Sequence, residues 1–532
     1  MTSTRSVRPP TLVEALIPVV LMIAFLGMSV VNASAFPDIP VITPLFQALG
    51  HVPVVGPLVH SGLTPHIPLI FGTVIAALMG MRLGMKWHEI ERGMVDGIVV
   101  ALPACLILMV IGMLIGTWIA SGIVPTMIHF GLKLISPSVF LFTTCAICAL
   151  VSLATGSSWS TAGTVGIALI GVGQGLNIPL PLVAGAIISG SYFGDKMSPI
   201  SDTTVLAPSV AGTDVFTHVR HMVYTTGPSM AIALLLYALL GLRYGADSMN
   251  TEGIDAITTA LGSIFTVHWA LLFPPVLVIA MVSFRIPALP ALLAGSVIGA
   301  ATAMLVQDMT LAAVMEVAQA GFAAETGMPA VDSLLNRGGM VSMLPTVALI
   351  VCALSFGGVM ERTGMLGVIA AAILRVAKST GSLIAATVCT CLGMNIIAPD
   401  QYLSIVVPGR MYREAYHKAG LHPKNLSRAL EDSGTITSPL VPWNSCGAYM
   451  WATLGVFPFA YAPYAFLNLI NPLVSIFLGY MGWTITRVAP DAAHGVTPDA
   501  AHGVTPNAAH GVTPDAAHAA SSEPTPDAQL RE

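Results

Sequence analysis

The sequence predicts an all-α polytopic membrane protein with two inverted-topology repeats. Three observations predict this fold class: few charges, long apolar runs, and a second block that repeats landmarks of the first. Charged residues make up 9% of the 532 residues and hydrophobic residues 55%, whereas ordinary soluble domains carry about 25% charged residues. A soluble protein of this size needs a charged surface, which this number of charges cannot provide. The chain is therefore expected to lie in a membrane.

Two of the apolar runs, 13–31 and 98–120, illustrate the length criterion. Each reaches the roughly 20 residues that cross about 30 Å of hydrocarbon. The first run is too long for the core of a signal peptide, so it is expected to be retained as a helix. Arg5 and Arg8 precede it and favour a cytoplasmic N-terminus. The predicted location is the cell inner (cytoplasmic) membrane, with multiple crossings.

The internal repeat is indicated by short matches in the same order in two blocks, 95–210 and 337–450. The matches are LP at 102–103 and 344–345, Gly116 and Gly358, Gly122 and Gly364, and a shared GxxxSP at 194–199 and 434–439. Four matches at nearly constant spacing predict two related structural units.

The distribution of basic residues predicts that the two units are inverted. The stretch 170–190 contains no Lys or Arg, whereas its counterpart 410–430 contains five. Because basic loops favour the cytoplasmic side, the two stretches are expected on opposite faces of the membrane. The loops 82–92, 362–379 and 410–428 are predicted to be cytoplasmic and 32–63 external. Inverted repeats are typical of secondary transporters with a binding site near the bilayer midplane.

The remaining chain is divided by composition, and about ten to twelve crossings are expected in all. The predicted divisions are N-terminal helices with an external loop (1–94), the first repeat (95–210), connecting helices and loops (211–336, with loops at 244–262 and 309–338), the second repeat (337–450), a C-terminal helix (451–487) and a disordered low-complexity tail (488–532). The tail repeats PDAAHGVT-like units and has too few bulky apolar residues to fold. Its evenly spaced histidines leave two interpretations open, weak metal binding or no specific role.

Polar residues and helix breakers interrupt the apolar sequence in four clusters: 153–166, 189–208, 393–404 and 430–449. Pro199 and Pro439 stand where a helix would otherwise continue. Unwound backbone at membrane depth is tolerated only when it is buried in protein or lines a wet cavity. Its carbonyls, together with Ser, Thr, Asn and Asp oxygens, would suit a hard monovalent cation such as Na⁺.

Two aspartates in the second cluster are the candidate coupling groups, because an intramembrane carboxylate is costly and therefore a functional hypothesis by default. Asp202 is ranked first, since Ser201, Thr203 and Thr204 surround it just after the Pro199 break. Asp195 is ranked second. The alternatives are a structural ion pair between Asp195 and Lys196, and an N-cap role for Asp202.

A further acidic pair, Glu431 and Asp432, opens the fourth cluster. One interpretation puts these carboxylates at the cytoplasmic mouth, opposite the basic stretch 410–428. The other makes them part of the site.

The runs 154–171, 185–208 and 426–450, with 65–81 beside them, closely resemble the NhaC-type sodium/proton antiporter family, and the resemblance spans about 65–460. It implies the ion-transporter-superfamily fold, in which each of the two inverted repeats contains a re-entrant hairpin and a discontinuous helix, and the two hairpins and two helix breaks meet at the site. Carried over by position, the first hairpin supplies Ser157, Ser158 and Thr161, the first break Ser198, Asp202, Thr203 and Thr204, the second hairpin Asp400 and Gln401, and the second break Thr437, Ser438, Asn444 and Ser445. The implied Na⁺ ligands are Asp202, Ser198, Thr203 and Asn444.

The resemblance implies exchange of Na⁺ for H⁺ by alternating access, coupled by an intramembrane aspartate. The alternative is sodium-coupled exchange of organic anions of the malate and lactate type, although no arginine falls inside the four clusters. Enzyme motifs such as HExxH, GxSxG and nucleotide loops are absent from the sequence, so an enzyme is not expected. The expected partners are small inorganic ions and the lipid bilayer. No cofactor is expected and no basic stripe suggests nucleic acid; a homodimer is left open.

Overall fold

The structure is a computed structural model that describes residues 7–31, 64–244 and 251–488. Its regular elements are helices, which confirms the all-α prediction. The helices are α1 (Leu12–Val31), α2 (His66–Arg82), α3 (Trp87–Ala120), α4 (Ile123–Leu134), α5 (Pro137–Thr155), α6 (Ser158–Thr161), α7 (Ile167–Gly175), α8 (Leu180–Met197), α9 (Asp202–Ala211), α10 (Val215–Leu242), α11 (Thr251–Ile264), α12 (Phe273–Ser283), α13 (Ala288–Val306), α14 (Leu311–Ala320), α15 (Pro329–Leu335), α16 (Leu344–Arg362), α17 (Met365–Leu374), α18 (Thr380–Ile397), α19 (Gln401–Lys418), α20 (Pro423–Leu430), α21 (Ser445–Leu454), α22 (Pro458–Tyr461) and α23 (Phe466–Met481). Two π turns (Ala162–Gly166 and Glu431–Thr435) and four 3₁₀ turns (Trp269–Leu272, Met340–Met343, Ser438–Leu440 and Ala462–Tyr464) interrupt or extend them.

The protein is a multi-pass membrane protein. Within the described residues, six helices are long and apolar enough to cross a membrane, or up to eight if two bent pairs each count as one span. The pairs bend by 96° between α11 and the 269–283 segment and by 60° between the 458–464 segment and α23. This count is below the ten to twelve crossings expected, because it leaves out shorter apolar helices such as α2 (His66–Arg82) and α4 (Ile123–Leu134).

The order of elements repeats between the two blocks. Helices begin at 123 and 365, at 137 and 380, at 158 and 401, at 180 and 423, and at 202 and 445, so that each counterpart follows after 242 or 243 residues. Gly122 and Gly364 precede the first pair in the same left-handed conformation, with φ of 78° and 76°. The repeated element order agrees with the predicted blocks, and the opposite orientation of the two blocks in the membrane stays a prediction.

The structural spacing corrects the alignment of the two helix breaks. The GxxxSP match has a spacing of 240 residues, three fewer than the spacing of the helices around it. Pro439 therefore lies in a 3₁₀ turn that still extends the incoming helix, and the second break falls at 441–444. Pro442 stands where Pro199 stands in the first break.

Glycines allow the helices that carry the breaks to pack closely. Gly194 of α8 lies directly against the backbone of Leu153 in α5, where a Cβ atom would clash. Gly97 of α3 meets the backbone of Gly358 in α16, which joins the two blocks in the same way. Small residues at such crossings are the usual means of close helix packing in membranes.

The predicted cytoplasmic loops lie at one end of the described structure. The backbone N–H of Arg8 donates to the carbonyl of Leu83 at 3.1 Å, and Arg362 packs against Gly93 near the same loop. Glu361, at the end of α16, interacts electrostatically with Arg410 of α19. The shared end is consistent with the predicted topology. The external loop 32–63 and the histidine-containing tail predicted beyond 488 lie outside the described residues.

Three segments differ from the sequence expectation. The stretch predicted as one helix, 451–487, contains the end of α21, α22 and α23, because Gly455 adopts φ 73° and ends α21 and proline begins the next helix. The predicted loops at 244–262 and 309–338 contain α11, α14 and α15. In α14 the alanine-rich sequence favours helix, and the Thr310 hydroxyl caps it by accepting from the N–H of Ala313 at 3.3 Å.

Candidate functional site

The first hairpin and the first helix break meet at the ends of α5 and α8. Helix α5 ends at Gly156, which adopts φ 67° and lies against the backbone of Ser201. Helix α8 ends at Met197, and the chain turns through Ser198 and Pro199 before α9 begins. The break predicted at Pro199 is therefore a real helix boundary, and it brings the 156–158 turn beside the start of α9.

Asp195 lies in a cage of serine groups at this meeting point. Its Oδ2 accepts from the hydroxyl of Ser158 at 2.6 Å and from the N–H of the same residue at 3.2 Å. Its Oδ1 accepts from the hydroxyl of Ser201 at 2.5 Å. The residue is 6% exposed, and its carboxyl is satisfied by two hydroxyls and one N–H, from Ser158 of the hairpin and Ser201 beyond the break.

Asp202 lies differently from Asp195, although only seven positions separate them. It is the first residue of α9, Ser201 takes the N-cap position, and the Asp202 residue is exposed. An acidic residue in the first turn of a helix is favoured by the helix dipole. The carboxyls of Asp195 and Asp202 are close enough to interact electrostatically.

The hydroxyl groups around the first break extend the cage. Thr203 Oγ1 lies 3.2 Å from Ser201 Oγ, and Thr204 donates to the carbonyls of Asp195 and Lys196 at 3.1 and 2.9 Å. The hydroxyl of Ser198 is buried without a hydrogen-bond partner. The structure thus brings the predicted residues of the first break together.

The predicted residues of the first hairpin support its turn. Ser157 Oγ accepts from the N–H of Ser160 at 3.2 Å, and Thr161 Oγ1 donates to the Ser157 carbonyl at 2.9 Å. The ring of Trp159 stacks on Tyr449 of α21 with centroids 4.0 Å apart. Tyr449 also donates to the Trp159 carbonyl at 2.6 Å, so the first hairpin is fastened to the second break.

The second hairpin places Asp400 at the N-cap of α19. Its Oδ1 accepts from the N–H groups of Tyr402 and Leu403 at 2.8 and 3.3 Å, and its Oδ2 accepts from the Ser445 hydroxyl at 3.2 Å. The neighbouring Gln401 Oε1 accepts from the thiol of Cys446 at 3.1 Å. Both side chains are buried and face the second break.

An amide network holds the second break in place. Asn444 donates to the carbonyl and side-chain oxygens of Asn395 at 3.2 and 3.1 Å, and its own oxygen accepts from the N–H of Cys446 at 3.0 Å. Asn395 in turn donates to Thr437 Oγ1 at 3.0 Å. Ser438 donates to the Thr435 carbonyl at 2.7 Å and lies 3.5 Å from the Gln401 oxygen.

A buried ion-pair cluster joins the two blocks beside these breaks. The Lys196 ammonium forms a short hydrogen bond and ion pair with Asp432, and neither side chain is exposed. Arg428 Nε lies 3.9 Å from the other oxygen of Asp432. Thr225 and Asn471 donate to Asp432 Oδ1 at 2.9 and 3.0 Å. Lys196 therefore pairs across the blocks with Asp432 rather than with Asp195.

Glu431 is wholly buried, and neither of its carboxylate oxygens has a hydrogen-bond partner. It begins the π turn Glu431–Thr435, and π turns occur often at functional sites. Glu431 and Asp432 are both 0% exposed, which corrects the interpretation that put them at the cytoplasmic mouth, but Asp432 does lie opposite Arg428 of the basic stretch 410–428. They lie inside the bundle, where the turn packs against α8, α9, α18 and α19.

The sequence identified the acidic residues of the site but not the residues that form hydrogen bonds with them. The residues that complete the Asp432 environment, Thr225 and Asn471, stand in α10 and α23 among other polar residues such as Ser229 and Asn468. Polar residues within these long helices were the available signal, but nothing in the sequence says which cluster they face.

The arrangement around Asp195 fits a small cation. A serine hydroxyl carries one donor and two acceptor lone pairs, so the groups that now donate to the carboxylate can rotate and offer oxygen to an ion. Carboxylate, hydroxyl and carbonyl oxygens are the ligands that hard cations prefer. Within the described part of the chain, no group of three His, Cys, Asp or Glu side chains comes together to hold a transition metal.

The chain matches known proteins over nearly all of its membrane part. The model of the Na⁺/H⁺ antiporter family matches residues 61–206 and 190–483. The Na(+)/H(+) antiporter NhaC of Alkalihalophilus pseudofirmus is 42% identical over 79% of this chain and 90% of its own length. The Malate-2H(+)/Na(+)-lactate antiporter of Bacillus subtilis is 38% identical over 90% of this chain and 96% of its own.

A third relative is named for different substrates. The Arginine/ornithine antiporter ArcD of Halobacterium salinarum is 38% identical over 82% of this chain and 90% of its own length. These relatives are named as antiporters, which are transporters and not enzymes. The resemblance to NhaC-type proteins is confirmed by the family match and by the identity to NhaC. This chain belongs to the Na⁺/H⁺ antiporter family.

Proposed function

We propose that the protein exchanges Na⁺ for H⁺ across the cytoplasmic membrane by alternating access, and that an intramembrane aspartate couples the two ions. The observation that carries the proposal is the Asp195 carboxyl, buried at the first helix break and held by the hydroxyls of Ser158 and Ser201 at 2.6 and 2.5 Å. The family and the NhaC relative support sodium and protons as the exchanged ions.

Coupling follows from competition for one carboxyl. A buried carboxylate without a counter-ion is costly, so Asp195 is occupied either by a proton or by a cation that the surrounding hydroxyls help to bind. If the charged carboxylate without a bound ion is avoided, the site cannot change its exposure from one side of the membrane to the other while it is empty. One ion then leaves only as the other arrives.

Asp202 has a second part in this proposal. The sequence ranks it first, but its exposed position at the start of α9 suits ion entry better than the buried step. Its carboxylate attracts a cation toward the cage, and Thr203, two residues from Ser201, supplies the next oxygen. Ser198, with a buried and unpartnered hydroxyl, remains a proposed ligand. Asn444, whose side-chain oxygen accepts from the N–H of Cys446, is instead proposed to support the second break.

Alternating access is supported by the pairing of the two blocks. Each block has a hairpin and a break, and contacts such as the Trp159–Tyr449 stack join the hairpin of one to the break of the other. Sites built from discontinuous helices at a repeat interface are typical of transporters that expose one site to each side in turn.

Organic anion exchange is the second candidate, and the identity of 38% to the malate and lactate antiporter favours it. The buried carboxyls of Asp195 and Asp400 would repel an organic carboxylate at the breaks, which favours inorganic ions. The Arg428 guanidinium, just outside the fourth cluster, is engaged by Asp432 and Thr484.

The test is ion flux in proteoliposomes that contain the purified full chain. We expect an imposed Na⁺ gradient alone to drive counterflow of protons, measured with an internal pH dye. Addition of malate, lactate, arginine or ornithine should not be required. A strict requirement for malate and lactate would replace this proposal with the second candidate.

We also propose a cytoplasmic N-terminus and cytoplasmic loops at 82–92, 362–379 and 410–428. The support is their basic content and their position at one end of the described structure. Single cysteines in these loops should resist a membrane-impermeant thiol reagent in intact cells, while cysteines within 32–63 should react. The opposite labelling pattern would contradict this orientation.

A further inference from the structure

The buried charges of the protein do not balance. Within residues 7–31, 64–244 and 251–488, the buried acidic and basic side chains other than histidine are four carboxyls and two cations. The carboxyls are Asp195, Asp400, Glu431 and Asp432, and the cations are Lys196 and Arg428. If all are ionised, the interior holds two uncompensated negative charges, and such charges are expensive unless they are paired.

Three of the four carboxyls have their donors. Asp432 is paired with Lys196, Asp400 caps α19, and Asp195 is held by serine hydroxyls. Glu431 alone among these four has no hydrogen-bond partner for either oxygen. A wholly buried carboxyl without donors points to a bound group that completes its surroundings.

Hydroxyl groups from two elements flank Glu431. The side chains of Thr203 and Thr435 lie beside the Glu431 carboxyl, although neither hydroxyl forms a hydrogen bond of good geometry with it. The Thr435 hydroxyl is itself buried without a partner. Hydroxyl oxygens from two elements, α9 and the π turn, therefore lie beside the same carboxyl, and the one from the π turn has no other partner.

The same hydroxyls connect Glu431 to the Asp195 cage. Thr203 Oγ1 lies 3.2 Å from Ser201 Oγ, which donates to Asp195 at 2.5 Å. A line of oxygens thus runs from Ser158 through Asp195, Ser201 and Thr203 to Glu431. Neighbouring polar sites of this kind let an ion pass between two binding positions without leaving an oxygen environment.

We propose that the Glu431 carboxylate, with the hydroxyls of Thr203 and Thr435, forms a second sodium subsite that communicates with the Asp195 cage through Thr203. The inference rests on the proposed function, because it takes Asp195 as the first subsite. Two sodium ions, one at Asp195 and one at Glu431, would offset the two uncompensated charges.

The test is equilibrium binding of radioactive Na⁺ to the purified full chain. The wild type is expected to bind two Na⁺ per chain with a sigmoidal dependence on concentration. Glu431→Gln, which keeps the size and removes the charge, should bind one Na⁺ hyperbolically, with an affinity within about threefold of the remaining wild-type subsite. Thr435→Val should weaken the second binding step by about tenfold and leave the first unchanged.

Glu361→Gln is the matched control, because Glu361 is an exposed glutamate at the end of α16, outside the clusters, and two bound ions should persist. A wild type that binds one Na⁺, or a Glu431→Gln protein that still binds two, overturns the second subsite while leaving Na⁺/H⁺ exchange intact. A wild type without specific Na⁺ binding overturns the proposed function and the second subsite together. Asp195→Asn should remove the other ion, which separates the two subsites.

Discussion

The two helix breaks hold their carboxyls with different kinds of donor. At the first break, Asp195 is held by two hydroxyls and one N–H. At the second, Asp400 is held by two backbone N–H groups and one hydroxyl, beside an asparagine network. Hydroxyls can turn from donor to acceptor, whereas backbone and amide N–H groups can only donate. The first break is adaptable and the second is fixed.

Because of this difference, we expect the two breaks to have different roles although their blocks share the same element order. An adaptable set of oxygens can hold a carboxylate when a site is vacant and a cation when it is filled. A fixed set of donors keeps a carboxylate satisfied in every state, which suits a support. We therefore expect ion exchange to depend on the first break and stability to depend on the second.

The largest expected effect comes from exchanging the carboxyl at each break for an amide. Asp195→Asn should reduce Na⁺-driven proton flux by roughly 100-fold or more, since the loss of a charged ligand costs about 3 kcal/mol. Asp400→Asn should reduce it by less than about tenfold, because asparagine is also a good N-cap. Flux in proteoliposomes, with equal amounts of inserted protein, measures both. Equal losses in the two variants would remove the functional distinction between the breaks.

The next effect separates stability from transport. Asn444→Ala should lower the thermal stability of the purified protein, because a cap and several buried hydrogen bonds, together worth about 1–3 kcal/mol, are lost. Ser201→Ala should leave stability nearly unchanged and weaken the apparent affinity for Na⁺ by about tenfold. Melting curves and Na⁺ titrations on the same preparations decide this. A stable Asn444→Ala protein with impaired Na⁺ affinity would put the adaptable ligands at the second break instead.

A smaller effect is expected at Asp202. Because the residue is exposed at the start of α9, Asp202→Asn should lower flux only by about threefold, mostly at low Na⁺, where attraction of the ion matters. High salt should narrow the difference from wild type. Complete loss of exchange in Asp202→Asn, with activity retained in Asp195→Asn, would restore the order in which the sequence ranks the two carboxyls.

The smallest effect should come from the C-terminal tail. A chain ending after Arg487 lacks repeats whose composition cannot form a core, so its flux should equal that of the full chain. In the truncated chain, Asp195→Asn and Asp400→Asn should differ as they do in the full chain, and so should Asn444→Ala and Ser201→Ala. Loss of exchange in a truncated protein that inserts normally would show that the tail takes part in transport.

The sequence predicted the polar clusters because polar residues and prolines are rare inside apolar runs. It also predicted the glycine pair, since Gly122 and Gly364 both require positive φ. It did not predict which carboxyl is buried, because the turn after Pro199 decides whether Asp195 or Asp202 faces inward. The shared GxxxSP misplaced the second break by three residues, since a short match can align outside the true register.

The partnership between Lys196 and Asp432 was beyond the sequence for a different reason. The two residues are 236 positions apart and meet only when the blocks pack together. The lack of hydrogen-bond partners for the Glu431 carboxylate could not be predicted either, because a missing partner can be recognised only after every neighbour has been placed. Local sequence patterns predicted the helices and their breaks, whereas the long-range contacts of the fold determine which charged side chains are paired.

The stack of Trp159 on Tyr449 gives the protein an internal optical reporter. The rings lie 4.0 Å apart and the indole N–H is buried without a partner, so the emission of Trp159 should respond to any water that enters between them. With the other six tryptophans replaced by phenylalanine, the fluorescence of this one residue would follow the separation of the first hairpin from the second break. The transport cycle could then be followed by the emission wavelength of one side chain, without any attached label.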